Sequence, residues 1–104
     1  MGSHVYVDKV FLCPGSEIPI ELRIDRKENV EDYIQELDID ILNIQSDIER
    51  KLNYMMTRKY DEFLDVGGEV KDLWCYLGEK HRLLNILRII LFALDDGRKV
   101  KIVL

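Results

Sequence analysis

The chain has few of the residues that punctuate or cross-link a fold. Among 104 residues there are two prolines, six glycines and two cysteines. With 47% apolar and 34% charged residues, it lacks the bias of a collagenous, low-complexity or disordered segment. One small folded domain, or one piece of a longer chain, is the consequence. Cys13 and Cys75 show no Cys-x-x-Cys spacing and follow no secretory apolar stretch. That argues against a disulfide scaffold and for a reducing, cytoplasmic setting. Positive charge is also scarce, with 15 Lys and Arg against 20 Asp and Glu and a net charge of -5. Nucleic acid is a poor partner for such a chain, because phosphate contacts need clustered cations. Long apolar runs are missing too. The longest, Leu83 to Leu94, contains Arg88 and falls well short of the roughly 20 residues a membrane span requires. Any membrane association is expected to be peripheral, through a complex.

Chemistry-bearing constellations are equally thin. The opening Met1-Gly2-Ser3-His4 reads as a vector-derived remnant, which places the natural start near Val5 and leaves His81 as the credible histidine. One histidine with no second ligand at suitable spacing does not make a zinc site. Cys75 beside Trp74 reads as a core thiol. Glu36, Asp38 and Asp40 resemble a carboxylate cluster, but helix positions two apart point away from each other. Gly67-Gly68 lacks the Lys-Ser or Lys-Thr of a phosphate loop. No catalytic residue, metal or cofactor is expected, and the chain does not read as an enzyme.

What the sequence does have is apolar periodicity. Residues 5–28 read as an extended arm, with the Pro14-Gly15 turn signal and the alternating Ile18, Ile20, Leu22 and Ile24. Asn29 is placed as an N-cap, with Glu31 and Asp32 at the positive end of the helix dipole. A helix over 29–64 follows, striped by Val30, Ile34, Leu37, Ile41, Ile44, Ile48, Leu52, Met55 or Met56, Tyr60 and Phe63. Asp65-Val66-Gly67-Gly68 breaks that stripe and predicts a turn over 65–68. A second helix over 69–95 carries two heptad rows, Val70, Leu77, Leu84, Leu91 and Leu73, Lys80, Leu87, Leu94, in the pattern of a coiled-coil seam. Asp95-Asp96-Gly97 supplies a stop, and 96–104 form a tail in which Val100, Ile102 and Val103 suit a short strand.

The predicted fold is therefore mainly α: a long antiparallel, coiled-coil-like helical hairpin with an N-terminal extended arm and a short C-terminal strand or tail. Charge supports the antiparallel sense. Residues 31–49 hold seven acidic side chains and no basic one, while Lys80, Arg82, Arg88, Arg98, Lys99 and Lys101 crowd the other end. Between Leu84 and Leu94 only Asn85 and Arg88 are polar, more apolar surface than one partner helix can cover. One reading covers it internally with Val10, Phe11, Ile18, Ile20 and Leu22. The sharper one makes Ile86, Ile89, Ile90 and Phe92 a partner-binding surface for a helix of another subunit or of a second copy, with Leu84, Leu87 and Leu91 holding the hairpin.

Several segments also carry a family likeness. Val7-Asp8-Lys9-Val10-Phe11-Leu12, then Ile18-Pro19-Ile20-Glu21-Leu22-Arg23-Ile24-Asp25, Tyr33-Ile34-Gln35-Glu36-Leu37 and Arg58-Lys59-Tyr60-Asp61-Glu62-Phe63-Leu64 resemble the N-terminal region of multisubunit vesicle-tethering subunits. The likeness runs over about residues 7–77 and is nearest to the second subunit of the conserved oligomeric Golgi complex and related exocyst-type helical rods. It implies a cytoplasmic scaffold, peripheral at Golgi or other membranes, whose helices bundle with sister subunits in protein transport. The alternative from the residues alone is an autonomous α+β binding or regulatory domain, with strands at 18–24 and 99–103.

Overall fold

The computed structural model describes residues 2–57 and 60–104, with side chains described outside 55 and 57–67. Strand β1 (His4–Val7) turns through Asp8-Lys9 into β2 (Val10–Pro14), and a single 3-10 turn follows at Gly15–Glu17. Helices α1 (Lys27–Thr57, 31 residues) and α2 (Tyr60–Asp95, 36 residues) come next, and β3 (Val100–Val103) closes the chain. At 1.5 Å per residue these helices span about 46 and 54 Å, and the molecule is 55 × 29 × 20 Å.

The two helices pack against each other in opposite directions. Ion pairs mark the register: Lys27 with Asp95 at 2.5 Å, Asp40 with Lys80 at 3.8 Å and Lys51 with Glu69 at 2.7 Å, the partner number falling on α2 as it rises on α1. The expected heptad rows do form the seam. Val70, Leu73, Leu77, Leu84, Leu87, Leu91 and Leu94 are all buried or packed against the core, facing Val30, Ile34, Leu37, Ile41, Ile44 and Ile48. Over the described residues the pairing does not become an extended coiled coil. Toward its C-terminal end α2 buries Leu87, Ile90 and Ala93 together, a face wider than a two-row seam.

The helix boundaries correct the sequence reading. Asn29 is not a cap but the third residue of α1, whose first turn is closed by the Val30 N–H donating to the Arg26 carbonyl at 3.2 Å. Residues 65–68 are not a turn, because they lie inside α2. Two glycines cost a helix about 2 kcal/mol in propensity, but Val70 and Leu73 beyond them already pack against the core, and Lys51 reaches Glu69 one residue past Gly68. Packing decides the boundary. The side chains of Tyr60 and Phe63, assigned above to the first helix's stripe, lie outside the described residues.

A three-stranded antiparallel sheet of order β2-β1-β3 covers the broad end of α2. β1 is central, with His4 opposite Pro14 and Val103, and Val7 opposite Val10 and Val100. His4 is thus part of the sheet, and the Ser3 carbonyl accepts the Gly15 N–H at 2.8 Å. Residues 1–4 cannot be set aside as expected, since two of them help close the fold. A Cβ at Gly15 would stand 1.8 Å from Ser3 Oγ, so this turn needs the glycine. Two devices join the ends. Asp8, at φ 54°, donates its N–H to the Lys99 carbonyl at 2.7 Å, and its carboxylate accepts the Lys99 N–H at 3.1 Å. Gly97, at φ 75°, ends α2 where the stop was expected: its N–H reaches the Leu94 carbonyl at 3.1 Å and the Arg98 N–H the Ala93 carbonyl at 2.9 Å. That is the bond pattern of a Schellman cap.

The segment 18–24 is not a strand. Ile18, Leu22 and Ile24 enter the core while Ile20 is fully exposed, so the alternation is that of an irregular arm. The terminal strand does form, but it pairs with β1.

Leu87→Ala, at a fully buried position, should cost about 2–5 kcal/mol in a denaturant melt, whereas Ile20→Ala should stay within about 0.5 kcal/mol. Gly97→Ala places a Cβ in the left-handed region and should cost about 1–2 kcal/mol, chiefly by fraying α2 from its C-terminus.

Candidate interaction surface

Where the sheet meets α2, apolar side chains remain in solvent. Register in β2 explains the sheet's share. Val5 opposes Cys13 but Tyr6 opposes Phe11, so Leu12 is the extra residue of a bulge. Beyond it Cys13 points into the core, whereas Val10 and Phe11 are 69% and 51% exposed. From α2, Ile89 and Phe92 stand 49% and 72% exposed beside them. Together with Val7, Leu12, Ala93 and Arg98 they line an open groove of about 310 Å³. Phe11 is fixed by edge-on contacts with the His4 and Tyr6 rings at 5.6 and 6.0 Å between centroids. The groove's charged end is neutralised, since Arg98 reaches Asp96 at 2.9 Å and Asp8 at 3.5 Å.

The expected partner-binding residues divide. Ile89 and Phe92 are exposed, Ile86 is half-buried against the core, and Ile90 is fully buried. Ile90 is therefore a core residue of this fold and is unavailable to a partner. Its position three beyond Leu87 keeps it beside that buried residue on the helix. Of the internal covers expected, Ile18 and Leu22 are buried, but Val10, Phe11 and Ile20 are not. Val10 and Phe11 are exposed instead: the bulge, which has no sequence signal of its own, sets Phe11 opposite Tyr6 on the face away from Val5 and Cys13, while Val10, at the end of the strand, is left uncovered.

A second, polar cleft of about 420 Å³ lies between the 3-10 turn and α2, lined by Ser16, Glu17, Tyr76, Glu79, Lys80, Arg82 and Leu83. Three of its charges are engaged within the chain: Arg82 pairs with Glu17 at 3.2 Å, and Lys80 sits 5.0 Å from the Tyr76 ring centroid. Burial works against the Lys80 ammonium, but the Tyr76 hydroxyl and the Asp40 carboxylate outweigh it and raise its pKa. Asp38 and Asp40 do point apart, Asp38 toward Arg88 at 3.8 Å and Asp40 toward Lys80. Among the described residues no group of three or more His, Cys, Asp or Glu side chains could hold a metal ion, and no helix is long and apolar enough to cross a membrane. Cys75 is exposed, against the expectation of a core thiol, and Cys13 is the buried one. Burial and the Glu17 carboxylate push the Cys13 thiol above its usual range. No family model, curated protein or solved structure matches the chain.

The two thiols should separate chemically. A thiol-specific reagent at neutral pH is expected to titrate Cys75 promptly in the native protein and Cys13 only after unfolding; two fast-reacting thiols would contradict the placement of Cys13.

Proposed function

We propose that the chain is a non-catalytic protein-assembly module that captures an extended segment of a partner protein along β2. The observation that carries this reading is the apolar groove of Val10, Phe11, Ile89 and Phe92 beside an edge strand. An edge strand offers unpaired backbone N–H and C=O groups, and an extended peptide is the occupant that satisfies them while seating alternate side chains in the groove. Within this class, the likeness of residues 7–77 to tethering-complex subunits supports a narrower role in intracellular membrane traffic, on the cytoplasmic side of Golgi or other membranes. The sheet that joins both ends of the chain favours the other architecture, a self-contained α+β binding domain, although its strands are β1 to β3 and not 18–24 with 99–103.

Peptides selected from a random library against the intact protein should be apolar and extended. They should lose binding by about tenfold or more to Phe11→Glu and little to Glu49→Lys on the far part of α1. Failure to select any peptide, or binding indifferent to Phe11, would overturn the reading.

A further inference from the structure

The hairpin has a second unpartnered face. The 3-10 turn lies on the side of α2 that carries Tyr76 and Leu83, and β2 borders α2 only near its C-terminal end, at Ile89, Phe92 and Ala93. The opposite side is marked by the Asp38–Arg88 ion pair. On that side α2 presents a row at alternating spacings of three and four: Lys71, Trp74, Gly78, His81, Asn85, Arg88, Phe92 and Asp95. Such spacing keeps a row on one face of a helix. Each of these residues is exposed, Trp74 at 63% and Phe92 at 72%, and a Cβ on Gly78 would meet open space.

We propose that this row is the contact of a symmetric dimer, in which α2 packs antiparallel against α2 of a second copy about a two-fold axis near residue 83. The row is complementary to its own reverse. Lys71 falls opposite Asp95 of the second copy, a carboxylate that is half exposed beside Lys27 of its own chain and can accept a second cation. Trp74 falls opposite Phe92, ring against ring. Gly78 opposes the long Arg88 side chain and makes room for it. His81 opposes Asn85, two groups that can exchange a hydrogen bond at the centre. Every pair occurs twice, as an isologous contact requires. A parallel arrangement would instead set Lys71 on Lys71, Arg88 on Arg88 and Asp95 on Asp95, so charge selects the antiparallel one. The four aromatic rings bring on the order of 500 Å² of apolar surface, about a third of a standard interface, and Leu42, one turn beyond Asp38 on α1 and 62% exposed, extends the same face. The row shares Phe92 with the β2 groove but otherwise runs apart from it along α2, and the proposal does not rest on the groove's having an occupant.

Zero-length carbodiimide coupling of the intact protein tests the register directly. Lys71 and Asp95 are 24 residues apart on one helix, about 36 Å, so an amide between them forms only between copies, whereas the 27–95 amide forms within one chain. Sedimentation at micromolar concentration should show a dimer whose cross-linked form yields the 71–95 peptide, and Trp74→Glu should raise the dimer dissociation constant by about tenfold or more with unchanged circular dichroism. Phe11→Glu should leave the dimer intact, which separates this surface from the groove. A monomer throughout, a dimer without the 71–95 link, or a dimer indifferent to Trp74→Glu would each overturn the proposal.

Discussion

The constraint that organises this molecule is the width of the apolar face at the C-terminal end of α2. A two-helix seam covers the rows of Leu84, Leu87, Leu91 and Leu94, but Leu87, Ile90 and Ala93 are buried together, and they span more of the helix circumference than α1 can reach. Something must cover the other side. The cover is assembled from the two ends of the chain, with Val5, Cys13 and Val100 from all three strands joining the same core. Without that sheet the end of α2 would expose its most apolar surface, and without α2 a three-stranded sheet this small would lack a surface to pack on. Each half supplies what the other cannot.

Chain reversal at the end of α2 follows from the same need. The cap at Gly97 turns the backbone so that β3 returns alongside β1, and Asp8 then binds the Lys99 backbone with both its N–H and its carboxylate. Ion pairs along the hairpin are exposed and individually worth about 0–1 kcal/mol. Their part is to prefer one direction and register of helix pairing, while buried Leu37, Ile41, Leu84 and Leu87 carry the energy.

Much of this was legible in the sequence where the signal is local. The heptad rows, the antiparallel charge pattern, the stop at Asp95-Asp96-Gly97 and a terminal strand all read directly. The errors share one cause, which is tertiary packing overriding a local preference. Gly67-Gly68 looks like a turn because glycine disfavours helices, yet the contacts of Val70 and Leu73 hold those residues inside one. Ile18, Ile20, Leu22 and Ile24 alternate as a strand does, yet they join no ladder of the sheet, although Leu22 to Asp25 run beside β3. Pairing of β1 with β3 joins residues nearly a whole chain apart, and no periodicity announces such a contact. Ile90 could be assigned to the surface from the sequence because a hairpin alone would leave it there. Its burial belongs to a core that the arm and the sheet complete together with the two helices.

Glycine inside α2 poses a last physical question. A glycine in a helix interior costs about 1 kcal/mol relative to alanine, and at Gly78 nothing within the chain requires it, since a Cβ there meets no neighbour. The cost is therefore not offset by any close approach inside this molecule. It would be offset by an approach from outside, where the absence of a side chain lets a long residue of a facing helix lie against the backbone. Trp74 one turn before it and His81 nearly one turn after leave Gly78 as a notch between two large side chains. A notch of that kind is a liability on a solvated helix and an asset on a packed one, and it sits where the antiparallel pairing of two copies would place Arg88.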